Sequence, residues 1–190
     1  MKLFEMKLKN EEQGVFNISL VASPANESSF VALKESATMV KFSADEEKRV
    51  VTGVVLLPDQ KIYRNSGFDK GECEIFFSAD TIRQCAELFL SEDERGGASL
   101  EHLLPTDSAK LVESWIVEDA ECDKAVALGL SVVEGTWCAS YKILDNELWE
   151  SIKSGEGYTG FSIEGLFESV AVEAGKNKTL LETLIEEISE

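Results

Sequence analysis

The sequence has almost no histidine and little positive charge. His102 is the only histidine among the 190 residues, which excludes any zinc site that needs two histidines. Lysine and arginine total 18, against 36 aspartates and glutamates, so the formal net charge is −18. Nucleic-acid affinity comes mostly from cations that meet phosphates, and an anionic membrane repels an acidic protein. We therefore expect neither nucleic acid nor a membrane surface as a partner.

Long apolar runs and paired cysteines are missing as well. No stretch approaches the ~18 apolar residues that span a bilayer, and residues 1–7 alternate charged and apolar side chains rather than forming a signal peptide. The four cysteines lie far apart without a C-x-x-C motif, and no glycine-rich phosphate-binding motif occurs. These absences predict a soluble, intracellular protein with reduced thiols and without a metal or cofactor.

The hydrophobic pattern predicts one α+β domain. With 44% hydrophobic residues, a chain of this length can form its own core. The apolar spacing from Ile82 to Leu90 predicts a helix, and Asp145 to Gly155 predicts another with a cap at each end. We place the domain at 1–170, followed by an acidic amphipathic helix or tail at 171–190. Strands are predicted at 15–21, 50–57, 74–77, 98–104, 110–117, 136–144 and 158–170.

Two residues carry the strongest signals for chemistry. Histidine exchanges protons near neutral pH, so His102 is the natural general base. Ser162, in the segment GFSIEG, would lie on the polar face of a strand whose other face carries Phe161 and Ile163. Local sequence alone favours a structural role for either residue. Ser131, in the similar segment GLSVVEG, is a second candidate nucleophile.

A third candidate follows from the expected strand pairing. If strands 98–104 and 110–117 pair across the turn at 105–108, Glu113 lies opposite or diagonal to His102. A carboxylate at that position could orient the imidazole ring, as in a catalytic triad. Glu113 could equally be a solvated residue of the sheet.

Nine segments taken in order resemble one family. The sequence is similar to the XkdF-like prohead serine proteases of tailed phages and prophages over about residues 15–168. Each segment is short, but their order is unlikely to arise by chance. The segments are residues 17–25 (NISLVASPA), 51–59, 62–64, 100–102, 112–119, 123–125, 135–137, 152–155 and 160–165 (GFSIEG).

The resemblance implies a fold related to the herpesvirus assemblins, with a compact, mostly antiparallel, β-barrel-like core and two or three flanking helices. It also implies a serine nucleophile and a histidine base. Carried over by motif, the base is His102, which the family places on a strand. The nucleophile is Ser162, which follows a short helix that ends in a glycine turn. Ser131 lacks that context. The third catalytic residue is Glu113 by strand geometry, with Glu164 and Glu168 as alternatives.

The resemblance further implies a serine endopeptidase that matures the phage prohead. Its substrates would be the scaffolding protein, the scaffold-like part of the major capsid protein and the protease itself. Those two proteins of a tailed phage are then the expected partners, with self-association a further possibility. The expected location is the assembling procapsid in the bacterial cytoplasm. The alternative is an inactive assembly protein that uses its acidic surface and the 178–189 helix for docking.

Overall fold

The computed structural model describes residues 1–25, 31–33, 48–65, 71–91, 97–155 and 157–172. These residues form twelve strands and three helices in a mixed α/β arrangement. In chain order they are β1 (Lys2–Lys7), β2 (Gly14–Val21), β3 (Val31–Leu33), β4 (Val50–Leu56), β5 (Ile62–Arg64), β6 (Cys73–Phe77), α1 (Ala79–Ser91), β7 (Gly97–Leu100), β8 (Leu104–Pro105), β9 (Ala109–Ile116), α2 (Lys124–Ala127), β10 (Trp137–Ile143), α3 (Asn146–Ser154), β11 (Gly160–Leu166) and β12 (Glu168–Val172).

The strands form three four-stranded sheets. Their orders are β12-β1-β6-β5, β3-β4-β10-β9 and β11-β2-β7-β8. Most neighbours pair antiparallel, as the family resemblance implies, while β1–β6 and β2–β7 pair in parallel. Within the described ranges no sheet closes on itself, so the expected barrel-like core is not supported. No helix in those ranges is long and apolar enough to cross a membrane.

Helix α1 covers the core and confirms the prediction from apolar spacing. Its buried side chains include Ile82, Cys85, Ala86 and Phe89, which recur three and four residues apart. Leu90, expected on the same stripe, is exposed. Phe89 packs edge-to-face on the buried Trp137 of β10, with ring centroids 5.4 Å apart. This packing fixes α1 against the sheet that contains β10.

The pairing predicted between strands 98–104 and 110–117 is wrong. The chain reverses directly after Leu100, so β7 pairs with β8, and the Thr106 N–H donates to the Ala98 carbonyl to extend this hairpin. On its other edge β7 pairs with β2, whereas β9 pairs with β10 in a different sheet. The segment predicted as one strand is therefore two short strands around a tight turn.

Helix α3 leads the chain into β11, as predicted. The Asp145 side chain accepts a hydrogen bond from the Leu148 N–H, and Gly155 ends the helix with a left-handed φ of 72°. The Thr159 N–H then bonds to the Val21 carbonyl and starts the pairing of β11 with β2. Strand β12 runs to Val172, two residues past the predicted domain boundary. The predicted helix at 178–189 lies outside the described residues.

Candidate active site

Three serines lie side by side across the sheet β11-β2-β7-β8. Ser162 on β11 is opposite Ser19 on β2, and Ser19 is in turn opposite Ser99 on β7. Directly paired residues point to the same face of a sheet, with Cβ atoms about 4.5–5.5 Å apart in an antiparallel pair. Glu164 and Asn17, two residues away on β11 and β2, are also paired and share this face. The register therefore gathers five polar side chains on one face.

The Glu164 carboxylate is the centre of this cluster. Its Oε1 accepts hydrogen bonds from the Ser19 and Ser99 hydroxyls, each at 2.6 Å, and from Asn17 Nδ2 at 2.8 Å. The Ser19 and Ser99 hydroxyl oxygens are themselves 2.6 Å apart. The carboxylate thus reaches from β11 across β2 to β7 and connects all three strands.

These contacts change the acidity of Glu164. Partial burial raises its pKa, but the hydrogen bonds from Ser19, Ser99, Asn17 and His102 outweigh burial, so the pKa lies below its ordinary value. Hydrogen bonds to the charged form stabilise that form. Glu164 is therefore an anion at neutral pH and acts only as an acceptor.

His102 lies in the turn between β7 and β8, and not on a strand as the family resemblance implies. Glu101 and His102 have φ values of 50° and 57°, and the Leu103 N–H bonds to the Leu100 carbonyl. Two positive φ values with this bond are typical of a type I′ turn, which favours asparagine and glycine. Each non-glycine residue in the left-handed region costs about 1–2 kcal/mol. Strain of this kind is concentrated at functional sites.

The His102 ring bends back over the polar face of the sheet. Its Nδ1 is 2.9 Å from the Ser19 Oγ and 3.4 Å from the Glu164 Oε1. The side chain of His102 is 39% exposed, so one edge of the ring meets solvent. The turn itself is tied to β2, because the Glu101 N–H donates to the Leu20 carbonyl and the Glu101 carboxylate accepts from the Ala22 N–H.

Burial distinguishes the two serines that face each other on β11 and β2. Ser19 is nearest to the imidazole but is completely buried, so no substrate reaches its hydroxyl. Ser162 is half-buried, and its hydroxyl makes no hydrogen bond within the described part of the chain. Ser162 is therefore the serine of this face that can meet a substrate. Ser131 is exposed in the loop between α2 and β10, and its neighbours Leu130 and Val132 pack with residues of β4 and β10, in another sheet.

The structure does not bring Glu113 to His102. Glu113 lies on β9, where it accepts from the buried Ser140 hydroxyl at 2.9 Å and pairs with the Lys124 ammonium at 2.9 Å. These two hydrogen bonds lower its pKa. Glu168 lies on β12 in another sheet and is 3.9 Å from the Lys9 ammonium. Of the three carboxylates considered from sequence, Glu164 is the one that contacts the histidine.

A comparison with protein families shows the family to which the chain belongs. The model of the family described as Putative phage serine protease XkdF matches residues 37–171 of the 190-residue chain. The chain belongs to this family. A search of curated proteins and a search of solved structures found no match. His102, Ser162 and Glu164 all lie inside the range that matches the XkdF family, whereas Ser19 precedes it.

Sequence reasoning missed Asn17, Ser19 and Ser99 in this candidate site. The alternation of polar and apolar residues in β2 could have shown that Asn17 and Ser19 share one face, because they face away from the buried Ile18 and Leu20. Ser99 could be found only by knowing that β7 pairs in parallel with β2. In the described ranges no group of three or more histidines, cysteines, aspartates or glutamates is arranged to hold a metal ion.

Proposed function

We propose that this chain is a serine endopeptidase that acts in maturation of the phage prohead. Ser162 is the nucleophile, His102 the general base and Glu164 the residue that orients His102. Membership of a phage serine protease family supports the reaction class. The observation that supports the residue assignment is the sharing of one sheet face by Ser162 and Glu164, with the Glu164 carboxylate 3.4 Å from the imidazole Nδ1.

The proposed reaction proceeds through an acyl-enzyme. The Ser162 Oγ attacks the scissile carbonyl carbon and transfers its proton to His102, which then gives that proton to the leaving amine as the C–N bond breaks. Water hydrolyses the ester in the same way and restores the hydroxyl of Ser162. Because Nδ1 faces Ser19 and Glu164, Nε2 is the nitrogen that remains to accept the proton.

Ser162 and His102 are not hydrogen-bonded to each other in the structure. The proposal therefore requires the bound substrate to bring the Ser162 Oγ and His102 Nε2 into contact. Catalytic hydrogen bonds are often long in the free enzyme and tighten in the complex with substrate. The exposed edge of the ring and the half-buried hydroxyl leave both groups accessible for this step.

The assignment of Glu164 replaces Glu113 as the proposed third residue. In a triad, the carboxylate holds the ring nitrogen that does not exchange the proton. Glu164 is on the Nδ1 side of His102, as this role requires, and is ionised at neutral pH. The contacts of Glu113 are with Lys124 and Ser140, on a sheet that does not contain His102.

The proposed substrates and partners follow from the family and not from a contact in the structure. They are the scaffolding protein and the scaffold-like part of the major capsid protein of a tailed phage, together with the protease itself. The proposed place of action is the assembling procapsid in the bacterial cytoplasm. A protein of net charge −18 has little affinity for DNA that enters the same shell.

Two measurements on the purified protein test this function. In the first, a fluorophosphonate probe is added, and peptide mass spectrometry locates the adduct. We expect the adduct on Ser162, none in Ser162→Ala, and undiminished reaction in Ser131→Ala. In the second, intact masses are followed over time with the assembled scaffold and capsid proteins. We expect new fragments with the wild type and none with Ser162→Ala.

Two outcomes would contradict the proposal. Cleavage that persists in Ser162→Ala would overturn the assignment of the nucleophile. A wild type that reacts with neither probe nor partner would instead favour the non-enzymatic assembly protein. Unfolding curves of Ser162→Ala serve as the control for folding, because a half-buried hydroxyl that bonds to none of the described residues is expected to change stability by less than about 1 kcal/mol.

A further inference from the structure

The buried serines Ser19 and Ser99 contact both Glu164 and each other, and the number of hydrogen atoms available for these contacts indicates their role. Five groups meet here: two hydroxyls, one carboxylate, one imidazole nitrogen and the Asn17 amide nitrogen, which supplies the hydrogen for its own contact with Glu164. The three oxygens lie within 2.6 Å of one another, and Ser19 also contacts the His102 Nδ1 at 2.9 Å. Each hydroxyl supplies one hydrogen atom, and the ionised carboxylate supplies none.

The count decides which nitrogen of His102 bears the proton. If Nδ1 were an acceptor, the Ser19 hydrogen would point at the ring, and the three short oxygen–oxygen contacts would share the single hydrogen of Ser99. If Nδ1 bears the hydrogen, it donates to Ser19, and both hydroxyl hydrogens remain for the oxygen contacts. Each buried polar contact left without a hydrogen is costly. The second arrangement leaves the fewest such contacts.

We infer that Ser19 and Ser99 are positioning residues that fix His102 in the tautomer with the hydrogen on Nδ1 and the lone pair on Nε2. Ser19 accepts a hydrogen bond from Nδ1 and donates one to Glu164, and Ser99 donates a second hydrogen bond to the same carboxylate. Both serines are buried, at 0% and 3% exposure, so water does not compete for these bonds. This inference rests on the proposed function, because the tautomer matters only if Nε2 is the base.

The single histidine makes the test direct. With ¹⁵N-labelled protein, long-range proton–nitrogen NMR spectra of the neutral ring assign the tautomer of His102 without ambiguity. We expect the Nδ1–H form to predominate in the wild type. Ser19→Ala and Ser99→Ala are each expected to shift the tautomer ratio toward the Nε2–H form, by roughly threefold to tenfold, as for one neutral hydrogen bond.

Ser140→Ala is the matched control. Ser140 is also completely buried, and its hydroxyl contacts the Thr52 hydroxyl at 2.8 Å and the Glu113 carboxylate at 2.9 Å, but in the sheet without His102. We expect this variant to lose stability and to leave the tautomer ratio unchanged. A purely structural role for Ser19 and Ser99 would make all three variants alike in the spectra.

The tautomer readout is independent of proteolysis. A wild-type ring that is mainly in the Nε2–H form, or a ratio that neither Ser19→Ala nor Ser99→Ala changes, would overturn the inference even in an active protease. If these variants shift the tautomer ratio but the wild type never reacts with the fluorophosphonate, the inference that Ser19 and Ser99 fix the tautomer of His102 is supported and the proposed function is refuted. A shifted ratio together with slower labelling of Ser162 would support both.

Discussion

The substitution Glu164→Gln tests whether Glu164 or Glu113 is the third residue of the proposed catalytic site. The change keeps the shape of the side chain but removes the charge that accepts from Asn17, Ser19 and Ser99. Hydrogen bonds to a charged acceptor are about twice as strong as neutral ones. The Glu164 side chain is 36% exposed, so solvent screens part of this difference. We expect a loss of about 1–2 kcal/mol in the free energy of unfolding.

The expected effect on reactivity is much larger than the effect on stability. Glu164 Oε1 is the acceptor for three donors, so a glutamine amide nitrogen at that position would donate instead and compete with Nδ1 of His102 for Ser19. Loss of a correctly oriented base is worth roughly 10²–10⁴-fold in rate. The assay is the second-order rate constant for fluorophosphonate labelling of Ser162, which needs no knowledge of the natural substrate.

Glu113→Gln is the matched comparison. Glu113 is also a strand carboxylate that accepts from a buried serine, Ser140, and its side chain is 51% exposed. Its ion pair with Lys124 is partly solvated, so we expect a stability loss of about 1 kcal/mol or less. We expect labelling of Ser162 within about threefold of the wild type. If Glu113→Gln abolishes labelling and Glu164→Gln does not, the assignment made from the structure is wrong.

Two further predictions concern stability. Because the pKa of Glu164 is lowered in the folded state, its contribution is complete above the ordinary pKa of a glutamate and is lost as pH falls through the lower folded value. Thermal unfolding of wild type and Glu164→Gln should therefore converge in acid, and a constant difference in melting temperature would contradict this. Gly135 and Gly129 share a φ of 83°, but a Cβ on Gly135 would lie 2.7 Å from the Ala79 Cβ, whereas Gly129 has open space. Urea unfolding should show a loss of about 1 kcal/mol for Gly129→Ala and about 1–3 kcal/mol more for Gly135→Ala; equal losses would show that the backbone yields to the contact.

The sequence predicts the local elements of this protein well. Helix α1 follows from apolar spacing, and α3 follows from its Asp145 and Gly155 caps. The placement of Ser162 on a strand, with its side chain away from the buried Phe161, follows from alternation. These features depend on residues that are close together in the chain, and periodic patterns predict secondary structure over that range.

Predictions that depend on strand partners are less successful. The sequence suggested that β9 would lie beside His102, and this suggestion produced the assignment of Glu113. In the structure β7 instead pairs in parallel with β2, about 80 residues earlier in the chain, and brings Ser99 beside Ser19. Glu113 and Glu164 look alike locally, since each accepts from a buried serine across a strand pair. Only the order of strands in the sheets tells them apart.

The turn that contains His102 explains why its position was mispredicted. Glu101 and His102 carry no turn signal, because glycine or asparagine is expected at both positions of a type I′ turn. The left-handed backbone is held by long-range bonds instead: Glu101 to the Leu20 carbonyl and the Ala22 N–H, and His102 to Ser19. Arg49 and Asp59 also have left-handed φ values, of 48° and 58°, but in the described part of the chain Glu101 and His102 are the one place where two such non-glycine residues follow each other. Such departures are expected at functional sites, where tertiary contacts offset the local cost. The two adjacent left-handed residues are thus an observation, independent of the family match, that is consistent with a functional role for the turn that contains His102.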